Sequence, residues 1–155
     1  MTDVLPRETF KTEAHAAVER AVADYVAQWA SARYLKIGTD DPNREKSRID
    51  GLFYRDVVVA FAEIKSCSRR FGEGEGWTTG RKKVMAAQDL FKIVRVPVVL
   101  VVQFGCGTIA YVDSSVMHEV IEPWGRRDRN SPGDLEPGAR FSWSQMHVVR
   151  CEVVS

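Results

Sequence analysis

A chain of 155 residues with 45% hydrophobic content has enough apolar material for one core, and a single domain over residues 1–155 is the expectation. Its 22 Lys and Arg almost balance 21 Asp and Glu for a formal charge of +1, which excludes a globally basic polyanion binder and leaves any such contact to a local patch. No stretch has the apolar length of a membrane span, the N-terminal residues Met1 to Pro6 lack a signal-peptide pattern, and the odd, widely spaced Cys67, Cys106 and Cys151 argue against a disulfide or zinc framework.

In chain order, residues 8–32 are predicted to form a long helix. Phe10, Ala14, Ala17, Val18, Ala21, Val22, Tyr25 and Trp29 recur at helical spacing, and this stripe is expected to face the core. Glu13, Glu19 and Asp24 border it. Arg33 to Ile37 reads as a short strand, and Gly38 to Ser47, with its Asp-Asp-Pro-Asn run, as a polar loop. Arg48 to Tyr54 is expected to pair with Asp56 to Lys65 in a hairpin that turns near Arg55 and Asp56.

The glycine-rich stretch Arg69 to Gly80 is expected to be a mobile loop. Its Glu73 and Glu75 would repel phosphate, and neither the Walker nor the dinucleotide pattern fits. Trp77 within it is expected to pack on the sheet rather than stack on a base. A second helix is predicted from Arg81 to Val94, with Val84, Met85, Leu90, Phe91 and Val94 toward the core. Val98 to Phe104 reads as a buried strand that turns at Gly105-Cys106-Gly107 into Thr108 to Val112. Val116 to Ile121 is expected to form a short helix and Glu122 to Arg140 a loop. Phe141 to Val154 should end in a strand, with Val148, Val149, Val153 and Val154 as core candidates. The order of helices and strands gives an α/β fold, a central mixed sheet flanked by helices.

The strand Asp56 to Lys65 is apolar until it reaches Glu63-Ile64-Lys65. Charged groups at the tail of a buried strand call for a cause. Side chains alternate, so Glu63 and Lys65 share a face, roughly 7 Å apart at Cα. In the hairpin register set by a turn at Arg55 and Asp56, Asp50 faces Phe61 and lies diagonal to Glu63. Two carboxylates and an amine then meet, an arrangement suited to Mg²⁺ and phosphate.

These residues resemble the PD-(D/E)XK, or restriction-endonuclease-like, nuclease superfamily. The resemblance covers roughly residues 13–112, with Asp50 thirteen residues before Glu63, a spacing similar to that of Holliday-junction resolvases. Ile49 stands where the family name has a proline. The resemblance implies a restriction-endonuclease-like core of αβββαβ order over residues 8–113, followed by an extension over 114–155. It implies catalytic Asp50, Glu63 and Lys65, with Gln88 on the following helix orienting water, contacting phosphate or serving structure. It implies Mg²⁺, with Mn²⁺ as a substitute, held by Asp50, Glu63, the carbonyl of Ile64 and a first-helix acid. Glu19 is preferred to Glu13 or Asp24 for that last place. For Lys65, neighbouring carboxylates favour electrostatic stabilisation over action as a base.

The most basic stretch of the chain holds Arg69, Arg70, Arg81, Lys82 and Lys83, the expected nucleic-acid contacts. The implied function is a Mg²⁺-dependent DNA endonuclease of the cytoplasm, acting on duplex or branched DNA. A homodimer would serve two-strand cleavage, and a protein partner could supply targeting. The alternative is a non-catalytic nucleic-acid-binding or assembly subunit with the same fold, which DNA binding indifferent to divalent metal would favour. A metal-binding protein without a nucleic-acid partner is the third reading.

Overall fold

The computed structural model describes residues 13–37, 49–125 and 135–152. Outside them lie the predicted helix start from residue 8 with Phe10, the loop from 38 to 47, Arg48, the middle of the 122–140 segment, and Val153 and Val154. Helix α1 (Glu13–Trp29) leads into β1 (Arg33–Lys36), β2 (Gly51–Tyr54) and β3 (Val58–Cys67). After β4 (Gly76–Gly80) come α2 (Arg81–Val94), β5 (Val98–Phe104) and β6 (Ile109–Asp113). The chain closes with β7 (Glu119–Gly125), β8 (Leu135–Ser142) and β9 (His147–Arg150).

Six strands form the main sheet in the order β1-β2-β3-β5-β6-β9. The β3–β5 pair is parallel and the other pairs are antiparallel, so the sheet is mixed. The parallel step needs a crossover, which α2 supplies. Helix α1 packs on one face through Val22, Ala23, Val26 and Ala27 against Phe53, Ala62, Ile64, Val99 and Val101. On the other face, Leu100, Val102, Ala110 and Val112 meet Val84 of α2 together with Trp77, Ala139 and Phe141 of a second sheet, β4-β8-β7.

Several sequence expectations are corrected. The stripe on α1 is rotated: Ala and Val make the close contact with the sheet, while Tyr25 and Trp29 are 39% and 51% exposed. Their rings lie to the side, Trp29 edge-on to Tyr111 at 6.0 Å and Tyr25 under Arg150 at 5.0 Å. Small residues under the helix allow closer approach than the rings would. Met85 of α2 likewise points outward.

The stretch Arg69 to Gly80 contains a strand and is tied down: Gly105 donates to the Arg69 carbonyl and the Trp143 indole to that of Gly74, both at 3.0 Å. Phe71 sits against Phe104 and Trp143. Trp77 is buried and stacks on Phe141, as expected. Neither the short helix at Val116 to Ile121 nor an unbroken loop from Glu122 is present, because β7 and β8 occupy those positions. Their pairing is irregular between Ile121 and Trp124, opposite Gly138 and Glu136, so Pro123 and Pro137 fall where the ladder is interrupted. Strands β8 and β9 of the C-terminal extension each join one of the two sheets.

The β2–β3 register also differs from the expected one. Leu52, not Asp50, pairs with Phe61. The turn takes three residues, Arg55 to Val57, and Val59 is an extra residue between the pairs Tyr54–Val58 and Phe53–Ala60. Each adds one residue to the shift. A shift of one would send every side chain to the wrong face, whereas two restore the original face. Gly51 permits this pairing, because a Cβ there would collide with the Tyr34 hydroxyl and the Leu35 carbonyl on β1. Gly51→Ala is therefore expected to cost about 1–3 kcal/mol in urea denaturation; an unchanged midpoint would show that β1 tolerates the added methyl.

Candidate active site

Asp50 precedes β2 and is held from three sides. Its N–H donates to the Ala62 carbonyl (3.0 Å), and its carbonyl accepts from Ile37 N–H (2.9 Å). Its carboxylate Oδ2 accepts from the backbone N–H of Ile64 (2.7 Å). Ile64 lies between Glu63 and Lys65, so this one bond puts the Asp50 carboxylate against the Glu-x-Lys segment. The N–H and C=O of one strand residue point to the same side, so the Ile64 carbonyl is directed past the start of β2 as well.

Glu63 and Lys65 project to the α2 face, level with Leu100 and Val102 of β5. Glu63 is buried, and burial of a carboxylate demands compensation. Its Oε1 receives Lys65 Nζ at 2.7 Å and Lys83 Nζ, from the first turn of α2, at 3.4 Å.

Burial raises the Asp50 carboxyl above its ordinary value. The Ile64 N–H bond works against this rise, the charges of Glu19 and Glu63 add to it, and Lys65 partly offsets it. Glu19 on α1 is thus within electrostatic reach of the site from the opposite face of the sheet. Burial also opposes the charge on Lys65, but Glu63 and then Asp50 outweigh it and its pKa is raised. Lys83 is shifted down, first by desolvation and then by the charge of Lys65.

The other expected site residues are placed as follows. Gln88 donates its side-chain amide to the Ser114 carbonyl at 2.8 Å, at the end of β6, two strands from β3. Arg70 pairs with Glu152 at 2.5 Å, and Arg69 donates to the Glu73 carbonyl at 2.9 Å, both beyond the end of β3. Arg81 reaches His118 at 3.4 Å, and Lys82 is exposed. Among the described residues, no three His, Cys, Asp or Glu side chains cluster as a ready ligand set, and no helix is long and apolar enough to cross a membrane.

The sequence places Lys83 among DNA contacts next to the site and does not reveal its approach to Glu63. A signal was present. Arg81, Lys82 and Lys83 occupy the first turn of α2 with no acidic residue there, opposing the helix dipole.

A helix, a three-stranded meander, a second helix and a parallel return strand, with an acid before the second strand and Glu-x-Lys in the third, define the restriction-endonuclease-like class. The chain belongs to the family described as "Phage putative PDDEXK endonuclease", which it matches over residues 5–149, and so to the PD-(D/E)XK nuclease superfamily. No curated protein matches it.

A carboxyl held above its ordinary value keeps its proton to higher pH in the folded chain than in the unfolded one. It therefore favours folding on the acid side and opposes it once ionised. Asp50→Asn retains an oxygen acceptor for Ile64 N–H without the charge. In metal-free buffer at pH 7 it is expected to raise Tm by a few degrees, and the gain should shrink as pH falls and wild-type Asp50 takes up its proton. A thermal-melt series in pH checks this.

Proposed function

We propose that this endonuclease-family chain hydrolyses DNA phosphodiester bonds with the help of Mg²⁺, or Mn²⁺ in its place. The observation that carries the reading is the Asp50 carboxylate fixed on the N–H of Ile64, between Glu63 and Lys65. The residues fit a hard cation: Mg²⁺ takes oxygen ligands, accepts one or two carboxylates and retains water. Asp50, Glu63 and the Ile64 carbonyl would hold it. Glu19, whose charge Asp50 senses, would act from the α1 side through water or beside a second ion. When bound, the ion acidifies water and polarises a phosphoryl oxygen.

The protein's own groups do the rest. Lys65, kept charged by Glu63, stabilises negative charge gathering on the phosphoryl oxygens. This favours electrostatic work over removal of a proton from water. Gln88 ties α2 to the end of β6 and so keeps the helix in place.

Lys83 presents positive charge beside Glu63, and Arg81 and Lys82 carry more on the same first turn of α2, suited to the DNA backbone. Arg69 and Arg70 lie four and five residues past Lys65, just beyond the end of β3, and would extend that surface. The resemblance of the chain to Holliday-junction resolvases in the Asp50–Glu63 interval supports a branched or duplex substrate. A homodimer would give each strand its own site. The free cysteines suit a reducing cytoplasm, and a targeting partner is compatible with this scheme.

Purified protein incubated with plasmid, single-stranded and four-way-junction DNA is expected to cut at least one of them in Mg²⁺ or Mn²⁺ and none in EDTA. Lys65→Ala should lose roughly 10²–10³-fold in kcat. DNA binding indifferent to metal, with no cutting, would instead establish the non-catalytic subunit. Independently, millimolar Mg²⁺ is expected to raise the Tm of the wild type but not of Asp50→Asn, because binding to the native state alone stabilises it.

A further inference from the structure

We propose that Lys83 is a second catalytic amine, docked on Glu63 in the metal-free protein and transferred to a non-bridging oxygen of the scissile phosphate when metal and substrate are bound. This rests on the phosphodiesterase reading above and assigns a reacting-centre role to a residue of the helix rather than of the sheet.

Three observations carry it. First, both amines reach the same atom, Glu63 Oε1, but not equally: Lys65 at 2.7 Å and Lys83 at 3.4 Å. The Lys65 side chain is 22% exposed and that of Lys83 is 55% exposed. Lys65 is the closer and more deeply buried partner of Glu63, so the Lys83 pair is the one more readily exchanged. A carboxylate drawn toward a cation would release the more weakly held amine first.

Second, an amine beside Glu63 adds positive charge, beyond that of Lys65, where the negative charge of a phosphoryl group grows in the transition state.

Third, Lys83 stands in the first turn of α2, where an ammonium opposes the positive end of the helix dipole. The helix begins at Gly80, which supplies no side-chain cap, and its first turn holds no acid. A phosphate oxygen is the partner that satisfies the free N–H groups and the amine together.

The test compares wild type with Lys83→Ala, Lys83→Gln and Lys83→Arg, with Lys92→Ala on the same helix as the surface control. Single-turnover cleavage in Mg²⁺ is expected to fall roughly 100-fold for Lys83→Ala and Lys83→Gln, with partial recovery in Lys83→Arg. DNA affinity measured in Ca²⁺ should change less than about threefold, as for a single backbone contact. Binding of inorganic phosphate to the Mg²⁺-loaded protein, followed calorimetrically, should weaken about tenfold in Lys83→Ala and stay unchanged in Lys92→Ala.

Wild-type cleavage rates in Lys83→Ala, or a loss confined to DNA affinity, would overturn the proposal. Should the wild type itself fail to cut, the phosphodiesterase reading falls, and the phosphate titration still decides: equal phosphate affinity in wild type and Lys83→Ala overturns the role of the amine, and a loss supports it.

Discussion

The hydrogen bond from Ile64 N–H to the Asp50 carboxylate is the constraint on which the site depends. A strand of the main sheet normally spends its amide on a neighbouring carbonyl. Here β2 begins at Gly51, two residues after the position opposite Ile64, and a side chain takes the place of the missing carbonyl. A charged acceptor makes the bond stronger than a carbonyl would and fixes the carboxylate to about the precision of the sheet itself. Backbone bonds to Ala62 and Ile37 remove the remaining freedom of Asp50. The acid is thus positioned by three strands.

That precision carries an electrostatic cost. Asp50 and Glu63 are brought out of water close to one another, with Glu19 in range, and Asp50 responds by holding its proton more tightly. Glu63 is tolerable only because amines cover it. Like charges gathered in this way, with two amines drawn onto one carboxylate oxygen, perturb one another's titration, as groups at functional sites do.

The sequence conveyed this site through parity rather than through detail. The expected pairing of Asp50 with Phe61 was displaced by two residues, because neither the third turn residue nor the bulge at Val59 has a distinctive local signature. The side of the sheet survived, since strand alternation is insensitive to an even shift. Helix α2 and the strand from Val98 were legible to the residue, from clean periodicity and from Pro97. The α1 stripe was legible as a helix but not in orientation, because Ala and Val at Val22, Ala23, Val26 and Ala27 carry a weaker apolar signal than Tyr25 and Trp29. Strands β7 and β8 were hidden by Pro123, Pro137 and Gly138, which read as loop chemistry unless a ladder irregularity is foreseen. The placement of Lys83 against Glu63 is a tertiary contact between elements twenty residues apart, and only its unfavourable position along the helix hinted at it.

Strand β8 has a consequence for the order in which the molecule assembles. It pairs with β4, whose last residue is the first boundary of α2, and its Phe141 and Ala139 complete the apolar cluster under that helix. A nascent chain emerging as far as β6 would already hold Asp50, Glu63 and Lys65 in a partial sheet, yet the helix bearing Lys83 would lack its floor. Contacts of such long sequence separation form late and slowly. This later segment therefore governs when the floor of the helix forms, and ribosome-bound intermediates should be ordered around the acids before they are ordered around the helix.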